Sequence, residues 1–224
     1  MSEERKKIKS YVLRASRMSK GQKIALELLS EKYCIEFQDD FLDIKDKFNS
    51  ERLCIEIGFG MGTATGKIAA DNPDMNFLGI EVHKPGVGRL LSDIQSRGLS
   101  NLRIINHDAV EVLEKMIPDS SIEGFHIFFP DPWPKKKHHK RRLLNDEFTA
   151  LLVSKLRPNG YIYAVTDWED YAKQMLAVLS SNKDLKNAFE GWADSPGWRP
   201  QTAFERKGLD KNHIIRELYF YNIE

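Results

Sequence analysis

The stretch RLCIEIGFGMGTATGKIAADNP (residues 52–73) decides the fold. It opens as an apolar run of strand length with one acid, Glu56, inside it. A Gly-x-Gly-x-Gly turn follows at Gly58, Gly60 and Gly62. A helical pattern then runs on until Pro73, which disfavours helical backbone at the residue before it. Strand, glycine turn and helix in that order open a βαβ unit.

The alternation continues along the chain. NFLGIEV (76–82), NLRIINHDA (101–109), IEGFHIFFPD (122–131) and YIYAVTD (161–167) read as strands, and RELYFYNIE (216–224) as a last one. Between them GRLLSDIQSRG (88–98) is a helix closed by Gly98, which suits a left-handed cap. NDEFTALLVSKLRPNG (145–160) is a helix with Phe148, Leu151, Leu152 and Leu156 on one face, ended by Pro158 and Gly160. DYAKQMLAVLSS (170–181) is a further helix. GQKIALELLSEKY (21–33) precedes them all, with Ile24, Leu28 and Leu29 expected on its apolar face. Alternating strands and helices imply a parallel sheet covered on both faces, whose ligands lie beyond the carboxyl ends of the strands. Four acids fall at such ends: Glu81, Asp108, Asp131 and Asp167.

Bulk composition sets limits. The 224 residues suit one sizeable α/β domain, and 41% hydrophobic with 30% charged residues is ordinary for a globular chain. Net charge is only +1, so any basic patch is local. Residues 1–20 read as a basic flexible arm (Arg5, Lys6, Lys7, Lys9, Arg14, Arg17, Lys20) ahead of a single domain over 21–224. Cys34 and Cys54 fit neither a disulfide framework nor a zinc site, which points to reduced thiols in a cytoplasm. No apolar run approaches the roughly 18 residues a membrane span needs, and the charged start has no apolar signal-peptide core.

The glycine turn does not suit a dinucleotide. It lacks the Gly-x-Gly-x-x-Gly spacing that seats a pyrophosphate on a helix N-terminus. Glu56, two residues before the first glycine, would repel phosphates and attract a cationic aminoacyl group. Glu81 stands 19 residues after Gly62, where an acid accepts from ribose hydroxyls, and Asp108 can accept from an adenine amino group. Ribose, adenine and a cationic aminoacyl tail together describe S-adenosyl-L-methionine. A bare strand–helix turn without ligand is the competing reading.

The most unusual segment is PDPWPKKKHHKRRL (130–143): an acid boxed by Pro130 and Pro132, then Trp133, then eight consecutive Lys, Arg or His residues, 135–142. With TDWEDYA (166–172), RPQTAFERKG (199–208) and RASRMSKGQ (14–22), it resembles the bacterial tRNA (guanine-N7-)-methyltransferase family within the Rossmann-like methyltransferases. The resemblance covers nearly the whole chain. It implies a class I methyltransferase fold, a mostly parallel seven-stranded sheet with helices on both faces. It implies methyl transfer from S-adenosyl-L-methionine to N7 of guanine 46 in the variable loop of tRNA. It also implies that Lys135, Asp167 and the run Thr202, Ala203, Phe204 and Glu205 contact the substrate.

Chemistry narrows the roles. Guanine N7 attacks with a lone pair and carries no proton, so the enzyme must supply orientation and charge stabilisation rather than a general base. Asp131, on its proline-stiffened loop beside the cofactor, is the expected catalytic carboxylate and base reader; a plain loop cap is the alternative. Trp133 either stacks on a base or packs beneath the loop. The run 135–142 reads as a phosphate-binding rim, which positions RNA without reading its sequence. His138 and His139 are adjacent, point apart and make no metal site. TAFE is also a capping box, Thr202 with Glu205, and Arg206 beyond it is a further candidate phosphate contact. A monomer is expected rather than a homodimer. A methyltransferase for another RNA or a small molecule, and an RNA-binding module without catalysis, are the rival readings.

Overall fold

The computed structural model describes residues 8–12, 17–48, 50–210 and 212–224, without the side chains of 203, 204 and 207. Arg5, Lys6, Lys7 and Arg14 of the basic arm lie outside these residues, as do the side chains of Ala203 and Phe204. Among the described residues the chain forms one seven-stranded sheet in the order β3-β2-β1-β4-β5-β7-β6. The strands are β1 Leu53–Ile57, β2 Asn76–Ile80, β3 Leu102–Ile105, β4 Ile122–Phe128, β5 Leu156–Thr166, β6 Leu185–Asn187 and β7 Arg216–Asn222. The first five pair parallel, and β7 runs antiparallel to both β5 and β6. The sheet is the mostly parallel, Rossmann-like seven-stranded one expected.

The helices are α1 Lys20–Tyr33, α2 Ile44–Phe48, α3 Thr63–Asp71, α4 Lys84–Arg97, α5 Ala109–Lys115, α6 Asp146–Lys155, α7 Glu169–Ser181 and α8 Ala203–Leu209. Every residue of β1 and β2 is buried, as strands covered on both faces must be, and this explains why their runs are apolar but for Glu56 and Asn76. Alternation sends Leu53, Ile55 and Ile57 into one core with Phe125, Ile127, Leu152 and Met175. Cys54 goes to the opposite core with Phe77, Val87, Leu90 and Tyr163, and Glu56 shares its parity.

Two expectations need correction. In α1, Ile24 and Leu28 are exposed, while Ala25 and Tyr33 are buried with Leu26 and Leu29 packed beside them. The cause is close packing on α4, where a Cβ at Gly88 would lie 2.5 Å from the Gln22 carbonyl oxygen. Contact at this glycine sets the inward face of α1. Secondly, α6 stops at Lys155, and Leu156 begins β5 instead of closing the helix. Residues 157–160, with Asn159 at φ 62°, form an irregularity in the β4–β5 pairing.

Strand order reverses between β1 and β4, whose neighbours lie on opposite sides. Such a switch point opens a crevice at the carboxyl ends of the strands. The amino end of α4 closes one side of it: a Cβ at Gly86 would lie 1.8 Å from the Gly60 carbonyl oxygen.

Candidate active site

The crevice is a cavity lined by Glu56, Gly58, Gly60, Gly62, Glu81, Val82, Asp108, Phe128, Phe129, Pro130, Asp131 and Thr202. Ser10 and Tyr11 from the arm complete its wall. It thus gathers the glycine turn, three of the four strand-end acids and one residue from the 199–208 segment. Gly58, Gly60 and Gly62 take φ of 74°, 59° and 71°, a succession that side-chain-bearing residues rarely adopt. The turn therefore presents bare backbone to the cavity.

The acids differ in environment. Glu56 is buried, and desolvation pushes its carboxyl from 4.5 up to about 7; Thr65 opposes the rise and the Glu81 charge adds to it. A cation entering the cavity would reverse that shift. Glu81 accepts from three backbone N–H groups: Gly60 at 2.7 Å on Oε2, and Val82 and His83 at 2.7 and 2.9 Å on Oε1. A carboxylate has about four lone-pair sites, so one remains for a ligand hydroxyl. Asp108 caps α5 by accepting from Val110 N–H at 2.9 Å, and its other oxygen lies 3.9 Å from Lys9 Nζ.

The loop carrying Asp131 is held from several sides. Phe129, at φ 52°, donates its N–H to the Val165 carbonyl at 2.7 Å. Trp133, at φ 45°, donates from Nε1 to the Ser10 carbonyl at 2.9 Å, and Arg141 lies 5.0 Å over its ring. Trp133 thus packs the loop against the arm. Arg142 donates to the Pro132 carbonyl at 2.9 Å, to Gln174 at 2.7 Å and to Asp170 at 2.6 Å. Asp131 itself is exposed at the cavity edge.

The basic run forms a 3-10 helix over Lys136–Arg141. Lys135, Lys136, Lys137 and Lys140 are exposed, which suits a phosphate rim. Arg142 is not part of it. Its side chain is 2% exposed and its hydrogen bonds are spent within the protein. No residue of the 3-10 helix itself is buried; Arg142, its C-cap, turns inward with its guanidinium 4.9 Å over the Tyr171 ring.

Other expected site residues, Lys135, Asp167, Glu205 and Arg206, fall outside the cavity lining. Asp167 lines a neighbouring cleft with Lys173, Asn212 and Arg216, and pairs with His213 Nδ1 at 3.0 Å. The capping box is present: Glu205 N–H donates to Thr202 Oγ1 at 3.0 Å, and Thr202 N–H to Glu205 Oε2 at 3.3 Å. Glu205 also holds Arg199 in two bonds of 2.7 and 3.1 Å. Nothing in local spacing marks Arg199. Its partner Glu217 carried a weak signal, an acid inside the terminal strand.

The residues fit S-adenosylmethionine on chemical grounds. Glu56 is a buried carboxylate short of positive charge, Glu81 keeps an acceptor site, and the glycine turn leaves space for close approach. Among the described residues, no helix is long and apolar enough to cross a membrane.

Residues 50–218 match the family model described as "Putative methyltransferase". A tRNA (guanine-N(7)-)-methyltransferase of Paraburkholderia xenovorans is 50% identical over 217 residues, 96% of this chain and 84% of that protein. One from Chromobacterium violaceum is 49% identical over 214 residues, 95% of each. One from Neisseria meningitidis serogroup C is 48% identical over 220 residues, covering 98% and 92%. Among solved structures, the 16S rRNA methyltransferase KamB superposes with TM-score 0.59 at 15% identity, over 82% of this chain and 94% of that one. The [4+2]-cyclase SpnF superposes with TM-score 0.55 at 14% identity, over 90% and 80%. At such identities the likeness is one of fold.

Proposed function

The chain belongs to the tRNA (guanine-N(7)-)-methyltransferase family, and from that premise we propose that it methylates N7 of guanine 46 in the variable loop of tRNA, with S-adenosylmethionine as donor, in the cytoplasm. The observation that carries the reading is the single cavity shared by Glu56, Glu81, Asp108 and Asp131. Three of these acids suit the cofactor, and the fourth stands at the edge where a substrate base would enter.

Glu56 takes the ammonium of the aminoacyl tail, Glu81 a ribose hydroxyl and Asp108 the adenine amino group. Bound there, S-adenosylmethionine supplies a methyl group on a positively charged sulfur. Asp131 accepts from the N1–H and amino edge of guanine, which distinguishes it from adenine, and its charge favours the cation that develops on the purine. No residue need remove a proton from N7. Desolvation in the cavity strengthens each of these interactions. The exposed cations Lys135, Lys136, Lys137 and Lys140 grip the RNA backbone beside the entrance. Asp167 and Arg206, outside the cavity, meet parts of the tRNA beyond the reacting base.

Mass spectrometry of tRNA incubated with the protein and S-adenosylmethionine tests this directly. We expect 7-methylguanosine at position 46. Binding without methylation would identify an RNA-binding module, and methylation of small molecules alone would overturn the tRNA assignment.

A further inference from the structure

Arg199 sits at a junction that no cofactor or substrate role accounts for. Its side chain is only 2% exposed. It donates from Nε to the Tyr163 hydroxyl at 3.0 Å, and to Glu217 at 2.8 Å. Both partners belong to the sheet, Tyr163 in β5 and Glu217 in β7. Its two terminal nitrogens hold the Glu205 carboxylate in a fork, the geometry in which a guanidinium fixes direction as well as distance. Tyr163 in turn donates to Glu217, so each member of the cluster is satisfied.

Two walls of the cavity meet at this cluster. Glu205 is locked to Thr202 by the capping box, and Thr202 lines the cavity. The Arg199 guanidinium also lies 5.8 and 5.9 Å from the ring centres of Phe128 and Phe129. Phe128 ends β4 and Phe129 follows it; both line the cavity and lead through Pro130 into Asp131. Segment 199–205 contains no strand, so it is held against the sheet by these bonds and by the neighbouring Trp198, whose ring centre lies 5.4 Å from those of His126 and Tyr163. Burying an arginine with two carboxylates is costly and gives little net stability, so stability alone is a poor reason for the arrangement.

We propose that Arg199 is a positioning residue for methyl transfer, acting through Glu205 and Thr202 to hold that wall in register with the loop of Asp131. The proposal rests on the tRNA methyltransferase reading above. Arg199 touches neither cofactor nor base. Its effect is on the alignment of the two reactants, which appears in turnover rather than in cofactor affinity.

The test compares wild type, Arg199→Lys, Thr202→Ala and the double variant. Lysine keeps the buried charge and avoids stranding two carboxylates, but it cannot form the fork. Turnover and KM are measured on unmodified tRNA below the melting temperature of each protein, with calorimetry of S-adenosylhomocysteine alongside. Arg199→Lys is expected to lower kcat about tenfold or more while S-adenosylhomocysteine affinity stays within about twofold. Thr202→Ala is expected to lower kcat as well, and the double variant to be no worse than the poorer single one. A folded Arg199→Lys protein with wild-type kcat would overturn the proposal, as would losses that multiply. An inactive wild type would instead sink the functional reading on which the proposal rests.

Discussion

The Gly60 N–H donates to Glu81 Oε2 at 2.7 Å, so the acid at the end of the second strand also braces the glycine turn at the end of the first. Replacing Glu81 therefore does two things. Glu81→Ala should lose the ribose acceptor and release the turn, weakening S-adenosylhomocysteine binding by about 1.5–3 kcal/mol or more. Glu81→Gln should not rescue it, because its amide NH2 would face backbone N–H donors. Asp108→Asn keeps a good cap for α5 but loses one acceptor, so it should weaken binding with little change in melting temperature. Calorimetry with all three variants checks this, and unchanged affinity throughout would remove these acids from the cofactor site.

Glu56 sets a pH dependence. Its carboxyl is raised from 4.5 to about 7, so between these values the folded protein holds a proton that the unfolded chain gives up. Its stabilising contribution is present below about pH 4.5 and is lost as pH rises through about 7. The ligand-free wild type should therefore lose more stability than Glu56→Gln across this window. Binding of a cationic aminoacyl group favours the carboxylate, so wild-type affinity for S-adenosylhomocysteine should rise through pH 7 with proton release. Calorimetry in buffers of different ionisation enthalpy detects that release, and a flat profile in wild type would contradict it.

Asp131 should separate chemistry from cofactor binding. It stands exposed at the cavity edge, on a loop anchored by Phe129, Trp133 and Arg142. Asp131→Asn keeps the shape and removes the charge. Turnover on tRNA should fall by two orders of magnitude or more, about 2.7 kcal/mol at 1.36 kcal/mol per factor of ten. S-adenosylhomocysteine affinity should hardly move. Activity near wild type would reduce Asp131 to a loop cap.

Salt dependence separates the rim from its anchor. Each phosphate contact changes the slope of log affinity against log salt by roughly 0.7–0.9. Neutralising Lys136, Lys137, Lys140 and Arg141 together should flatten the slope for every tRNA alike and leave cofactor affinity intact. Arg142→Met should behave differently, lowering the melting temperature because three hydrogen bonds to the Asp131 loop and α7 are lost. A titration series for both variants decides it. An unaltered slope in the fourfold variant would move the RNA path elsewhere.

These contrasts mark what the sequence could reveal. Glu56, the three glycines and Glu81 were legible because a strand, a turn and the next strand end are local, and their spacing fixes where each side chain goes. Arg142 was not separable from its neighbours, since composition does not say which member of a cationic run turns inward. Ile24 and Leu28 follow a helical period, yet the inward face of α1 was chosen by Gly88 on another helix. In the cluster of Arg199, Tyr163, Glu205 and Glu217, the register of β5 against β7 brings Tyr163 near Glu217, which lies 54 residues away, and Arg199 reaches that pair from a segment outside both strands.

The place of β7 has a consequence for how the protein is made. It lies between β5 and β6, both synthesised before it, and it carries Glu217. A ribosome adds roughly 5–20 residues per second, so for several seconds β5 has an open side and Arg199 lacks one of its two carboxylates. During that interval residues 161–166 of β5, largely buried in the finished protein, have no strand partner on that side. Because β6 pairs with β7 alone, both outer strands join the sheet only when β7 does, and premature termination anywhere before residue 217 leaves the protein without its keystone acid.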